Sequence, residues 1–289
     1  MSSLLDPEFI RRLARLRLLA RKRFAGAAGG ARRSTRKGQS VEFADHRPYT
    51  PGDDIRRIDW NAYARLEELV LRLYIAEEDL SVYLLLDTSA SLGHGTPPKL
   101  ETAARLAAAL AYVGLSGSER VGVVPFADGM GAPLAPTRGK GRIGHVLRFL
   151  DGLSAGGETD LARTVETFLA RRPRPGLVVL LSDLLDPGGY QRPLDRLMGQ
   201  RHEPVIFHVL SEDEVRPTPG GDFSLVDSER GHAIDVSLDH RAIEAYQKRV
   251  AAFVESIATY CRRRGISYIP AFGEVDLEGA LLQYLRGAA

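Results

Sequence analysis

From Val82 onward, short and almost unbroken apolar runs alternate with segments of helical period, and no other feature narrows the fold so far. The runs are "VYLLLD", "RVGVVPF", "GLVVLLSD", "PVIFHVL" and "SYIPAF". Between them lie "KLETAARLAAALAYVGL", "GRIGHVLRFLDGL", "TDLARTVETFLARR", "YQRPLDRLMGQ" and a long helical stretch over about Asp239 to Arg264; "DLEGALLQYLRG" closes the chain. A strand apolar on both faces needs cover on both faces, which a hairpin cannot supply. The pattern predicts an α/β fold: a doubly wound, mostly parallel sheet with helices on both sides. Thr159 is placed to cap the helix that follows it.

Two regions depart from this alternation. Residues 211–237 contain "GDFSLVDSERGHAIDVS", two polar–apolar runs around "SERG". They read as a hairpin laid on the side of the sheet. Residues 38–80 carry short strand-like runs, turn residues and dense charge ahead of the sheet. The expected organisation is a basic helix and linker over 1–37, a charged flanking subdomain over 38–80 and the α/β domain over 81–289.

The first apolar run ends in "SVYLLLDTSAS". In extended backbone, residues i, i+2 and i+4 point to one side, so Asp87, Ser89 and Ser91 present three oxygens together. In a doubly wound sheet the carboxyl ends of the strands line one edge, where ligands bind. Asp183 ends "LVVLLSD" on that edge, and Thr159 lies in the Gly-rich loop "AGGETD" entering a helix. Hydroxyls and carboxylates without His or Cys suit a hard cation, Mg²⁺ or Mn²⁺, rather than Zn²⁺. Taken alone, a strand-end aspartate followed by serines is as well explained by a capped turn. Ser182 and Asp186 read as turn and cap residues.

"DTSAS", then a threonine, then an aspartate after the next buried strand, resembles the metal-ion-dependent adhesion site of von Willebrand factor A-like domains. The block "EFADHRPYTPGDDIRRIDWNAYARLEEL" just before the first strand resembles the bacterial family called domain of unknown function 58. The resemblance is clear from about Gly38 to Leu210 and holds in outline beyond. It implies that Asp87 and Asp183 hold the metal largely through waters, while Ser89, Ser91 and Thr159 bind it directly. Neutral ligands leave the cation electron-poor, so it takes a further acidic ligand from a partner protein. The resemblance also implies a MoxR-type AAA+ ATPase as that partner. Many members of the family carry transmembrane helices at their start.

Here the longest apolar run, "LAAALAYVGL", is too short to span a bilayer. The opening "MSSLLDPEFI" lacks the basic-then-apolar order of a signal peptide, and the single cysteine, Cys261, fits a reducing compartment. A cytoplasmic protein is expected. The formal net charge of +2 over 289 residues points to neither a nucleic-acid binder nor an enzyme of acidic substrates. Basic residues do concentrate between Ile10 and Val41, where no acid occurs. Phe9, Leu13, Leu16 and Ala20 fall on one helical face there, which predicts a docked helix followed by a flexible linker rather than a membrane or nucleic-acid helix.

Within 38–80, Asp53, Asp54, Arg56, Arg57 and Asp59 are equally consistent with a salt-bridged scaffold and with a partner-binding surface. Trp60 is expected in the core, and His46 as a satisfied structural histidine. "GKGRIG" matches G-x-G-x-x-G, but it follows "APLAPTR" rather than a buried strand, so it is not read as a nucleotide site. Two functions then compete. One is a metal-dependent interaction module with no catalytic residue. The other is a Mg²⁺-dependent hydrolase of phosphate esters using Asp87. The second lacks a general base near the motif and a lysine with an evident phosphate role, so the first is preferred.

Overall fold

The computed structural model describes residues 43–74, 80–217, 221–226, 233–273 and 276–286, with Arg11, Leu13 and Glu229 besides. Contacts divide the chain into two units, Ala28–Asp79 and Met1–Ala27 with Leu80–Ala289.

In the smaller unit, strand β1 (Phe43–Pro48) pairs antiparallel with β2 (Val70–Tyr74), and helix α1 (Trp60–Leu66) lies between them in sequence. Helix α1 starts where it does because the Asp59 carboxylate accepts from the N–H groups of Asn61 and Ala62, two of the donors a helix start leaves unpaired. The same carboxylate lies 3.0 Å from His46 Nε2, so His46 is a partnered structural residue as expected. Asp54 accepts from the Arg56 N–H at the start of a short 3₁₀ turn. Asp53 accepts from Arg47 at 2.6 Å and from both the amide and the hydroxyl of Thr50. Trp60 corrects the expectation: it is 60% exposed, edge-on to Tyr63. It sits in the first turn of α1, where that turn carries it outward instead of into a core.

The larger unit is the predicted α/β layer structure. In chain order it comprises β3 (Ser81–Asp87), α2 (Lys99–Ser116), β4 (Arg120–Phe126), β5 (Leu134–Arg138), α3 (Ile143–Asp151), α4 (Leu161–Ala170) and β6 (Leu177–Ser182). It continues with α5 (Gln191–Gly199), β7 (Glu203–Leu210), α6 (Glu212–Val215), β8 (Gly221–Val226), β9 (Ala233–Leu238), α7 (His240–Arg264), β10 (Ser267–Phe272) and α8 (Leu277–Arg286). The sheet runs β10-β7-β6-β3-β4-β5, parallel except for β5, an antiparallel edge strand. Side chains alternate across it. Val82, Leu84 and Leu86 pack with α2, α3 and α8, whereas Tyr83 and Leu85 pack with α4, α5 and α7. Leu13 is fully buried in the first of these layers; Phe9, Leu16 and Ala20 lie outside the described residues, as does the linker.

Helix α2 is buried almost all round, and its run of alanines lets its backbone lie close to the strands. At the start of β6, Gly176 meets β3 so closely that an added Cβ would stand 2.1 Å from the Ser81 carbonyl oxygen. Only glycine fits that approach. Beyond it the strands keep register, Val82 opposite Leu177 and Leu86 opposite Leu181, which brings Asp87 and Ser182 out side by side at the carboxyl edge. The order of strand addition reverses here. From β3 the sheet grows one way through β4, then restarts at β6 on the other side, and the crevice at such a switch point is where ligands bind.

The hairpin of β8 and β9 forms as predicted but makes its own two-stranded sheet. Of its turn, Glu229 is described, and it meets Thr159 at the carboxyl edge rather than the flank of the sheet.

Candidate metal centre

The turn after β3 is built by the side chains it displays. Asp87 is fully buried, and its Oδ1 accepts from the Ser89 amide at 2.9 Å and the Ser89 hydroxyl at 2.7 Å. Its Oδ2 accepts from the Ser182 hydroxyl at 2.6 Å. Ser91 donates to Asp183 Oδ2 at 2.8 Å, and the oxygens of Ser89 and Ser91 stand 3.1 Å apart. Four of the five expected residues thus share one chain of contacts. Ser182 corrects the reading of it as a turn residue alone. It does accept from the Leu184 N–H at 2.9 Å, but its hydroxyl belongs to the site.

Thr159 is carried to the same edge by its loop, which the turn holds through Ala90 N–H to the Gly157 carbonyl (2.9 Å) and Gly156 N–H to the Thr88 carbonyl (2.8 Å). It is not the helix cap. Asp160 caps α4, accepting from the Arg163 N–H, because its carboxylate reaches the third amide of the first turn. That frees the Thr159 hydroxyl, which donates to Glu229 Oε1 at 2.9 Å. Asp186 does act as a turn and cap residue, accepting from the Gly188 and Leu161 amides.

The end of β6 is strained. Leu184, buried and directly after Asp183, has φ 57°, in the left-handed region that branched side chains avoid. This kink aims the Leu184 amide at Ser182 and the Leu185 amide at Asp183 Oδ1 (3.1 Å). Strain of about 1–3 kcal/mol held at one such residue is characteristic of functional sites. Behind it, His208 lies within 3.0 Å of the Asp183 carbonyl through Nε2 and 2.8 Å of the Tyr268 hydroxyl through Nδ1. Burial pushes His208 down to about 4, so the neutral ring donates to that carbonyl and accepts from the tyrosine.

A buried cation that the sequence reading did not include lies beside these acids. Lys99, the first residue of α2, is 1% exposed, and its ammonium contacts Asp183 Oδ2 at 2.8 Å and Glu214 Oε1 at 2.5 Å. Burial alone would depress this lysine, but the attraction of Asp183 and Glu214 and their hydrogen bonds outweigh it and raise it above the ordinary value. Glu214 is itself fixed by a capping box with Ser211 at the start of α6. One signal pointed this way: a lysine in the first turn of a helix opposes the macrodipole and needs a compensating anion.

Even so, the site is short of positive charge. Burial, and then the charge of Asp183, push Asp87 up to about 7, against the opposing hydrogen bonds of Ser182 and Ser89. With both carboxylates ionised, Ser89 gives its hydrogen to Asp87 and Ser91 gives its hydrogen to Asp183. No proton then remains between the two hydroxyl oxygens, whose lone pairs face each other. A hard cation with oxygen ligands at 2.0–2.1 Å in octahedral geometry has neighbouring ligands about 2.9 Å apart. The Ser89–Ser91 separation of 3.1 Å is close to that edge. The donor chemistry therefore fits a divalent cation. Among the described residues, no cluster of three or more His, Cys, Asp or Glu is arranged to hold a metal.

The sheet is doubly wound and mostly parallel, with an aspartate and a serine turn at its switch point. The chain belongs to the family described as protein of unknown function DUF58, whose model matches residues 45–255. It is 31% identical over 266 residues to uncharacterized protein Rv1480 of Mycobacterium tuberculosis and equally to Mb1516 of Mycobacterium bovis, over 90% of this chain and 83% of theirs. Among solved structures, BatB of Bacteroides thetaiotaomicron matches with TM-score 0.46 and 19% identity, over 72% of this chain and 97% of that one. Proximal thread matrix protein 1 from the mussel byssus, solved with a zinc-occupied MIDAS motif, matches with TM-score 0.38 and 16% identity over 46% and 38% of the two chains. Among the described residues, no helix is long and apolar enough to cross a membrane.

Proposed function

We propose that this protein is a metal-dependent interaction module whose site holds Mg²⁺ or Mn²⁺ on Ser89, Ser91 and Thr159, with Asp87 and Asp183 acting through water. The observation that carries this reading is the pair of serine hydroxyls, each donating to a carboxylate and leaving lone pairs for a cation. The ion would supply a Lewis-acidic centre that binds a carboxylate offered by a partner. The hydrolase reading is not preferred, because among the described residues Asp87 is fully buried and bonded at both oxygens, and Lys99 is engaged by two acids.

The partner we propose is a MoxR-type AAA+ ATPase, the pairing that the family resemblance implies, in the cytoplasm. Asp53, Asp54, Arg56, Arg57 and Asp59 would add charged contacts that set specificity and encounter rate more than affinity. The internal bonds of Asp53, Asp54 and Asp59 support a scaffold share in that block as well. The test is direct binding to the purified ATPase of the same host by surface plasmon resonance. Binding in Mg²⁺, lost in EDTA and in Ser89→Ala, is expected. Metal-independent binding, or phosphatase turnover abolished by Asp87→Ala, would overturn the reading.

A further inference from the structure

The stretch between β7 and α7 sends two glutamates to the carboxyl edge. Glu214 engages Lys99. Glu229, from the turn between β8 and β9, faces Thr159: its Oε1 accepts from the threonine hydroxyl at 2.9 Å and its Oε2 from the threonine amide at 3.2 Å. This repeats the pattern of the two serines. Each hydroxyl of the set hands its hydrogen to one carboxylate: Ser89 to Asp87, Ser91 to Asp183 and Thr159 to Glu229. The Thr159–Glu229 separation also equals the spacing of about 2.9 Å between adjacent oxygens around a small octahedral cation. A carboxylate so placed lies where a neighbouring ligand of the same ion would lie.

We propose that Glu229 is the protein's own acidic ligand to this cation, taking the position that a partner's carboxylate would otherwise fill. The inference rests on the metal reading above and gives it a consequence. In the free protein the Glu229 carboxylate occupies that position, and an acidic partner gains access by displacing it. β8 and β9, which carry this residue between them, pair without a register break from Gly221–Leu238 to Val226–Ala233.

The experiment loads the full chain with Mn²⁺ and measures affinity by calorimetry and the number of metal-bound waters by water-proton relaxation. Wild type, Glu229→Gln, Glu229→Ala and the metal-site control Asp87→Ala are compared. Both Glu229 variants should bind Mn²⁺ about ten-fold more weakly and gain one bound water, with chelated-protein melting unchanged. The glutamine variant keeps the side-chain shape and carries the comparison if the alanine variant folds poorly. Wild type that binds Mn²⁺ with the same affinity and water count as both variants overturns the role of Glu229 and leaves the metal site standing. Wild type that binds no Mn²⁺, or binds it as well in Asp87→Ala, overturns the metal site and the Glu229 inference with it.

Discussion

The aspartates of the two units look alike in sequence and sit in opposite electrostatic situations. In the smaller unit, Asp53 is hydrogen-bonded by the Arg47 guanidinium and by Thr50, in that order of effect, which holds its carboxyl well below the usual range. Asp54 and Asp59 accept from backbone amides at the starts of turns of helix. In the larger unit, burial and a like charge push Asp87 up to about 7, and its side-chain donors are hydroxyls. A carboxylate served by N–H groups or a guanidinium has its charge answered. Asp87, with one N–H donor, two hydroxyls and another acid beside it, keeps charge that a cation would answer.

That contrast can be broken most forcefully at Lys99, which stands as the resident counter-charge of Asp183. Lys99→Met leaves two acids facing a buried site without it, and removing one member of a buried pair costs about 3–5 kcal/mol. Denaturant unfolding in chelator should show a loss of that size, with part of it restored by Mg²⁺. Equal stability with and without Mg²⁺ in this variant would remove Lys99 from the account.

A smaller effect separates Asp87 from Asp53 by sign. A carboxylic acid with a raised value in the fold stabilises it fully below the unfolded value, and that advantage is lost as pH rises through about 7. Asp87→Asn should therefore stabilise the chelated protein at pH 8 by about 1–2 kcal/mol, less than full linkage because the amide replaces one acceptor by a donor. The gain should vanish toward pH 4. Asp53 behaves in reverse: its stabilisation is present above the unfolded value and lost only as pH falls through its depressed folded value, so Asp53→Asn should lower Tm across pH 4 to 8. Melting curves from pH 4 to 8 decide both signs. The smallest effect belongs to Asp59→Ala, which removes the cap of α1 and should cost about 1 kcal/mol with no change in Mn²⁺ affinity.

The sheet was legible because its strands are apolar on both faces, and Asp87, Ser89, Ser91 and Asp183 because strand ends converge. What escaped depended on distance along the chain. Lys99 meets Asp183 across 84 residues, Glu214 meets Lys99 across 115 and Glu229 meets Thr159 across 70, and no short-range pattern carries such pairings. Trp60 was misplaced for a related reason: a hydrophobic side chain in a short helix goes wherever the helix turns it. Threonine caps helices well, which hid the role of Thr159: the neighbouring Asp160 caps α4 and leaves the Thr159 hydroxyl to the site.

The close approach of Gly176 to Ser81 makes the sheet a measuring rod. The strands are clamped at one end with no allowance for even a methyl group, and their register is read out at the other end as the offset between the carboxylates on β3 and β6. From Ser81 to Asp87 that rod is about 20 Å long. Gly176→Ala touches none of the site residues, yet the strands must part to admit its methyl group, and the offset of Asp87 and Ser182 must shift with them. Under the proposed metal reading, a remote glycine would then tune ion affinity, which a site divided between two parallel strands inherits from its architecture.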